Sequence, residues 1–202
     1  MDLEDLSKKL ASRGFIPVVC DNAKQAADKI LELIPADDTV GAGGSVTLSQ
    51  LNIPELLTAR GTTLYSHSTV PEELKNKVYQ LAASAKWYLA SANAITENGE
   101  IINTDGSANR VSTLIFGVPN IIYAVGKNKI VKDFDAAVDR IRNYTCHLNA
   151  VRLGKSTPCA ITGKCAYCTG KECMCNVTTI VHHPTRYQEK VYILLINEEL
   201  GY

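Results

Sequence analysis

Phe15-Ile16-Pro17-Val18-Val19-Cys20 runs directly into Asp21-Asn22-Ala23-Lys24-Gln25-Ala26-Ala27-Asp28-Lys29-Ile30-Leu31-Glu32-Leu33-Ile34-Pro35, and the change of period between the two decides the fold. The first six residues are almost unbroken in apolar character, the mark of a strand buried on both faces. After them Ala23, Ala26, Ala27, Ile30 and Ile34 recur at helical spacing. Asp21 is placed to cap that helix and Pro35 to end it. A buried strand followed at once by an amphipathic helix is the repeating unit of a parallel sheet.

The same alternation continues on both sides. Upstream, Leu3, Leu6 and Leu10 form a helical stripe that Gly14 stops. Downstream, Thr39-Val40 lead into Gly41-Ala42-Gly43-Gly44-Ser45 and a short helical stretch. Residues 62–65 read as a strand. Pro71 opens a helix with Leu74, Val78 and Leu81 on one face. Residues 87–96 and 100–104 flank Asn98-Gly99, a pair that favours positive φ and predicts a hairpin with a type I′ turn. A helix over 109–116 and a buried strand over 121–125 follow. A long helix from Asp133 then carries Phe134, Ala137, Val138, Ile141 and Leu148 on one stripe. Strands at 178–181 and 191–196 return to the sheet. The order predicts an α/β protein: a three-layer α/β/α sandwich on a mostly parallel sheet, with one β-hairpin and a cysteine-rich inserted loop at 156–176, residues 1–202 forming one domain.

The chain has 202 residues, enough for a real hydrophobic core. Its 21 Lys and Arg balance 21 Asp and Glu, which argues against a general nucleic-acid or membrane-surface binder. Met1 to Leu10 mixes acids, bases and leucines like a surface helix and unlike a secretion signal. No apolar run reaches the roughly 18 residues that a membrane span needs. A cytoplasmic protein is expected.

Of the seven cysteines, Cys20 and Cys146 lie in apolar-periodic stretches and read as core thiols. The other five are spaced Cys159-x5-Cys165-x2-Cys168-x4-Cys173-x-Cys175. In a reducing cytosol such a cluster suits a metal better than a disulfide framework. Iron–sulfur clusters and structural zinc both want four converging thiolates, and a C-x2-C turn delivers two of them with little chain ordering. Gly163 and Gly170 let the backbone turn; Lys155, Lys164 and Lys171 offset thiolate charge. Two ligand sets stay open: Cys159, Cys165, Cys168 and Cys175, or Cys165, Cys168, Cys173 and Cys175, the second more like a zinc knuckle. A [4Fe–4S] cluster is favoured over zinc. His182 and His183 lie just beyond and could supply a ligand, but with Pro184 breaking the chain there they read better as ordinary residues at a strand end. The loop is too poor in apolar residues to hold itself without a ligand.

Gly41-Ala42-Gly43-Gly44-Ser45 occupies a strand-to-helix junction. Free N–H groups there suit a phosphate or carboxylate, with Gly43, Gly44 and the Ser45 hydroxyl as candidate contacts. It is neither a P-loop nor a dinucleotide fingerprint. Asn93, Thr96, Glu97, Asn103, Asp105, Gly106, Asn109 and Arg110 form the densest polar group outside the cysteine loop. Arg110, in the first turn of its helix, is unfavourably placed against the helix dipole, so an anion or a carboxylate partner would explain it. Thr96 and Asn109 are further ligand-binding candidates. Glu97 is a candidate base or nucleophile, or simply the partner of Arg110. No Ser–His–Asp order or metalloprotease signature is present.

Val40-Gly41-Ala42-Gly43-Gly44-Ser45-Val46-Thr47, Asn93-Ala94-Ile95-Thr96-Glu97-Asn98-Gly99, Asn109-Arg110, Phe116-Gly117-Val118-Pro119 and Val125-Gly126-Lys127-Asn128-Lys129-Ile130 together resemble the LUD-domain lactate-utilisation proteins. Thr157-Pro158-Cys159, Thr162-Gly163-Lys164-Cys165, Cys168 and Cys175-Asn176 resemble that family's cysteine-bearing branch, with Cys173 as a departure. The resemblance implies the fold shared by sugar-phosphate isomerases, CoA transferases and formyltetrahydrofolate cyclo-ligase. It also implies a role beside iron–sulfur subunits in oxidising L-lactate to pyruvate. By analogy with the CoA transferases, Glu97 is the nearest candidate for covalent catalysis. Three functions are therefore in contention: an iron–sulfur accessory protein of lactate oxidation, an enzyme on small phosphorylated or CoA-linked substrates, and a zinc-stapled structural or regulatory protein. A homodimer is the default oligomeric expectation.

Overall fold

The computed structural model describes residues 2–202. Among them lie the strands β1 (Ile16–Cys20), β2 (Thr39–Ala42), β3 (Thr63–Ser66), β4 (Trp87–Ala90), β5 (Ala94–Thr96), β6 (Ile101–Asp105), β7 (Asn120–Gly126), β8 (Ile130–Val131), β9 (Val177–Val181) and β10 (Lys190–Ile196). The helices are α1 (Leu3–Ser12), α2 (Ala23–Leu33), α3 (Val46–Gln50), α4 (Ile53–Ala59), α5 (Lys75–Ala83), α6 (Asn109–Ile115), α7 (Phe134–Arg140), α8 (Cys146–Arg152) and α9 (Pro158–Thr162). Six strands form a parallel sheet in the order β1-β10-β7-β4-β2-β3.

The period-two alternation of the central strands supplies two cores. Ile122 and Ala124 of β7 face one side, with Ile30, Leu48, Ile53 and Leu57 from α2, α3 and α4. Ile121, Tyr123 and Val125 face the other, with Leu6 and Leu10 of α1, Ala82 of α5 and Leu114 of α6. This is the expected three-layer α/β/α sandwich.

The second face carries more than helices. β8, β5, β6 and β9 form a separate four-stranded sheet. Its Ile95 and Ile101 join the second core, while Ala94 and Ile102 turn outward to meet Ala137, Ile141 and Cys146. The stretch read as one strand over 87–96 is thus two strands in two sheets, broken at Ser91–Asn93. Likewise β9 returns to the small sheet, and only β10 to the main one. Gly99 has φ +86° but Asn98 does not share its positive φ. Gly99 N donates to Thr96 O at 2.8 Å, so the hairpin turns through a type I turn followed by a left-handed glycine, in place of type I′.

Other local expectations shift for physical reasons. β1 lies at the sheet edge and leaves Ile16 37% exposed, although its composition suits a central strand. Asn22 caps α2 in place of Asp21, its side chain accepting from Gln25 N at 2.9 Å. Around Pro71 the chain first forms a short 3-10 turn. In α5 only Ala82 is fully buried, and Leu74 lies just before the helix with 46% exposure. The long helix from Asp133 is α7 and α8 joined without a break by a wide π turn, Ile141–Thr145. Such turns often mark functional positions.

Candidate functional site

In the main sheet β2 connects outward to β3, whereas β4 leads towards β7 and β10, so the strand order reverses between β2 and β4. Ligands in open α/β sheets bind outside the carboxyl ends of the strands at such a point. Here that crevice is walled by the segments that follow β2, β4 and β7: Gly44–Thr47, Ser91–Asn93 and Lys129. Thr104–Gly106 and Arg110 close it from the small sheet, and Cys146, Asn149, Arg152 and Met174 from the helical run and the cysteine loop. The chamber measures about 110 Å³.

Arg110 is the frame of this chamber. Its Nε and Nη2 donate to Asp105 Oδ1 at 3.0 and 2.7 Å. Nη1 donates to Ser91 O and Asn103 Oδ1, and Nη2 also to Asn93 Oδ1 and Thr104 O. All five N–H groups of a guanidinium are thereby engaged. Asp105 Oδ2 accepts from Val111 N at 2.9 Å and so serves as the cap that α6 lacks, its N-cap Ala108 having no side-chain bond. Arg110 thus ties the β4–β5 break, β6 and α6 together. A Cβ at Gly43 would meet Arg110 Cδ and Tyr88 Oη, each at 3.2 Å, so the glycine loop is shaped by close approach to this arginine.

Lys129 lies against the other side of the chamber and is only 3% exposed. Its Nζ donates to Thr47 Oγ1 at 2.8 Å and Ser91 Oγ at 2.9 Å. Those hydroxyls in turn donate to Leu200 O and Ala124 O, which leaves their lone pairs turned to the amine. Burial, reinforced by Arg140 and Arg110, pulls the Lys129 amine down to about 7.

Outside the chamber, sharing Gly44, Asp105, Gly106, Arg110, Asn149, Arg152 and Met174, opens a cleft of about 600 Å³. Lys75, Arg110, Arg152, Lys155 and Lys171 line it with His67, against the acids Asp105 and Glu172. Burial, then Lys75 and Arg152, lowers the His67 pKa.

Behind Met174 and Cys146 is a third, mostly apolar cavity of about 20 Å³, lined by Cys146, Cys159, Cys165, Cys168 and Cys175 with Arg142, Ala150, Thr157 and Ala166. The seven cysteines are all free thiols. Cys175 Sγ and Cys146 Sγ are in hydrogen-bond contact at 3.3 Å, and Thr157 Oγ1 lies 3.2 Å from Cys159 Sγ. The Cys146 contact lowers the Cys175 thiol to about 7, with Arg142 adding to the effect against burial. The contact with Cys173 raises Cys168 to about 11. Among the described residues no three Cys, His, Asp or Glu side chains are gathered tightly enough to hold a single metal ion.

Gly44, Ser45 and Arg110 therefore line the chamber, Asn109 lines only the outer cleft, and Gly43 supports the wall. The Ser45 hydroxyl caps α3 by accepting from Leu48 N. Arg110 has the expected carboxylate partner, but it is Asp105. Glu97 lies elsewhere, along a surface cleft with Asp2, Glu4, Asp21 and Lys127. Thr96 is buried and bonded to Glu100. Cys159, Cys165, Cys168 and Cys175 share the thiol cavity, while Cys173 lines the outer cleft. Cys146 is a core residue as expected, but it also faces that cavity. His182 and His183 do not line the cavity; each meets Arg13. Sequence reasoning missed Lys129 and Cys146. The signal for Lys129 was its place just past the buried run ending at Val125, where a parallel strand delivers its loop to the site.

The LUD domain matches this chain over residues 3–196. No curated protein matches the sequence. A crystal structure of a DUF162-family protein from Deinococcus radiodurans is similar to this chain with a TM-score of 0.58 at 12% identity, over 96% of this chain and 95% of that one. At that identity the likeness speaks for the fold. Among the described residues no helix is long and apolar enough to cross a membrane. The sequence match runs from the first residue of α1 to the last of β10 and takes in every wall of the chamber except Tyr202: the chain belongs to the LUD-domain family.

Proposed function

We propose that this protein serves the oxidation of L-lactate to pyruvate as an iron–sulfur accessory component. The LUD-domain family is associated with lactate utilisation, and its members act in lactate-utilisation assemblies. The finer reading rests above all on one observation. Cys146 and Met174 line both the polar chamber and the thiol cavity, so a small molecule in the chamber lies one side chain from the cysteines.

Thiol donors are the chemistry this group takes, and its binding would draw them together from the wider spacing seen here. Five free thiols border one apolar cavity, and the Arg142 guanidinium stands beside it to offset thiolate charge. Cys159, Cys165, Cys168 and Cys175 are the proposed ligands, with Cys146 as a fifth thiol within reach. A [4Fe–4S] cluster there would supply one-electron transfer. The two electrons and two protons that leave L-lactate must pass to acceptors outside this chain, and the iron–sulfur subunits of a cytoplasmic lactate-oxidising assembly are the proposed partners.

The test is a visible spectrum of protein purified without oxygen, before and after dithionite, with iron, sulfide and zinc analysis. Broad absorption that bleaches on reduction is expected, and it should be lost in Cys165→Ser. A colourless protein carrying stoichiometric zinc would replace this reading with the zinc-stapled one. A colourless, metal-free protein would remove the redox role altogether.

A further inference from the structure

We propose that Lys129 anchors the carboxylate of a small organic acid in the inner chamber; the reading above supplies only the first candidate, L-lactate. Arg110 and Arg140 both lie close enough to Lys129 to act on it electrostatically. Asp105 answers Arg110. Arg140 donates to Asn128 O, Asn93 O and Thr145 Oγ1, all neutral. Lys129 donates to two hydroxyls. Among the described residues no carboxylate is bonded to Lys129 or Arg140. A buried cation without a counter-charge is costly, and the cost falls when an anion enters.

Geometry says where that anion goes. A lysine ammonium carries three N–H groups, and Thr47 and Ser91 engage two of them. Both hydroxyls commit their own hydrogens to backbone carbonyls, so they act on Lys129 as acceptors and fix its head. One N–H remains. The C-terminal segment closes the opposite side: a Cβ at Gly201 would overlap Thr47 Oγ1 and lie 3.1 Å from Lys129 Nζ. Lys129 also lines the chamber, and that is where an oxygen ligand can meet it. Arg140 Nη2 and Asn103 Nδ2 are buried with no hydrogen-bond partner, but neither residue lines the chamber.

Size narrows the class. The chamber's roughly 110 Å³ is small beside the 600 Å³ of the outer cleft. It suits an acid of a few carbons, with Ser45, Asn93 and Asn149 lining it as polar neighbours for a second oxygen.

Isothermal titration of the wild-type protein with L-lactate, its uncharged amide and inorganic phosphate tests the assignment. Saturable binding of lactate is expected, with the amide weaker by at least about tenfold, the usual worth of a charged over a neutral acceptor. Lys129→Met should abolish lactate binding. Absence of lactate binding, an amide bound as tightly as the acid, phosphate bound more tightly than lactate, or a Lys129→Met variant that keeps its affinity would each overturn it. The amide comparison needs no variant and stands even if Lys129→Met folds poorly. Colour is an independent readout. A bleachable chromophore without acid binding overturns this assignment alone; acid binding by a colourless protein overturns the iron–sulfur reading alone.

Discussion

The polar chamber and the cysteine loop meet at Met174, yet they are held in opposite ways. The chamber stands on the carboxyl ends of buried strands, and the side chains that shape it are tied to backbone: Arg110 to Ser91 and Thr104, Thr47 to Leu200, Ser91 to Ala124. The segment 156–176 contains one fully buried residue, Thr157. It is joined to the rest by scattered contacts, among them Cys165 N to Asn143, His147 to Cys159 O, and Asn176 to Asp105 and Gly106. The first region is organised before any ligand arrives. The second has donors but little core, which is the composition of a segment whose order comes from what it binds.

The sharpest way to break this contrast is to remove the ligand set. Structural metals contribute on the order of 10 kcal/mol to small segments that they fold. Cys165→Ser with Cys168→Ser should therefore leave the loop open to trypsin at Lys164 and Lys171, with cleavage faster by at least about a hundredfold. The urea midpoint of the rest of the protein should barely move. A loop equally resistant in wild type and variant would mean that its few contacts suffice, and the contrast would be wrong.

Next in size is Arg110→Met. It leaves Asp105, 12% exposed in its side chain, without its partner and unties β6 from the β4–β5 break. Breaking a buried pair on one side costs about 3–5 kcal/mol. Urea unfolding measures it, and a loss below about 1 kcal/mol would show that the chamber is not framed by this residue.

These two regions were legible in the sequence to different degrees. The strand–helix alternation around Phe15–Pro35 and the run at 121–125 carry the layers, because burial imposes its period locally. The cysteine spacing carries the loop for the same reason: the C-x2-C turn is local chemistry. The break at Ser91–Asn93 is not local. Trp87 to Thr96 is apolar enough to read as one strand, and only the competition between two sheets for Ala90 and Ala94 divides it. Arg110 was visible as an oddity against the helix dipole, but Asp105 and Glu97 are both acids of that neighbourhood, and only the path of β6 chooses Asp105. Cys146 is five residues beyond Ile141, and the π turn between them is what a 3.6-residue period cannot anticipate. It belongs both to the helix's buried stripe and to the thiol cavity.

Lys129 gives a smaller, graded effect. Its folded-state value of about 7 lies below the ordinary 10.5. Between those values the unfolded chain holds a proton that the native state lacks, so this group makes stability rise with pH across that window. Below pH 7 both states are protonated and the full penalty of burying the charge remains. Lys129→Met should therefore gain most over wild type at pH 7 and below, and the gain should shrink towards pH 10. The slope has a ceiling of about 1.4 kcal/mol per pH unit. A difference between the two proteins that stays flat from pH 7 to 10 would say that the amine is not tuned by burial, and the chamber would lose its claim to be an organised polar site.

Glu97 supplies the smallest expected effect and the most pointed comparison. It shares the polar stretch 93–110 with Arg110 and is the acid that fold analogy with the CoA transferases selects. Yet its backbone is held by Val131 and Lys9, on the side of the small sheet's β5 end that opens to Asp2, Asp21 and Lys127. No wall of the chamber includes it. Glu97→Gln keeps the side chain's shape and removes only its charge, so stability should stay within about 0.5 kcal/mol, and lactate binding should be unchanged. The same titration that loses its signal in Lys129→Met should keep it in Glu97→Gln. If Glu97→Gln abolished binding instead, the acid would act from outside the chamber, and the division between a strand-end site and its surroundings would have to be redrawn around β5.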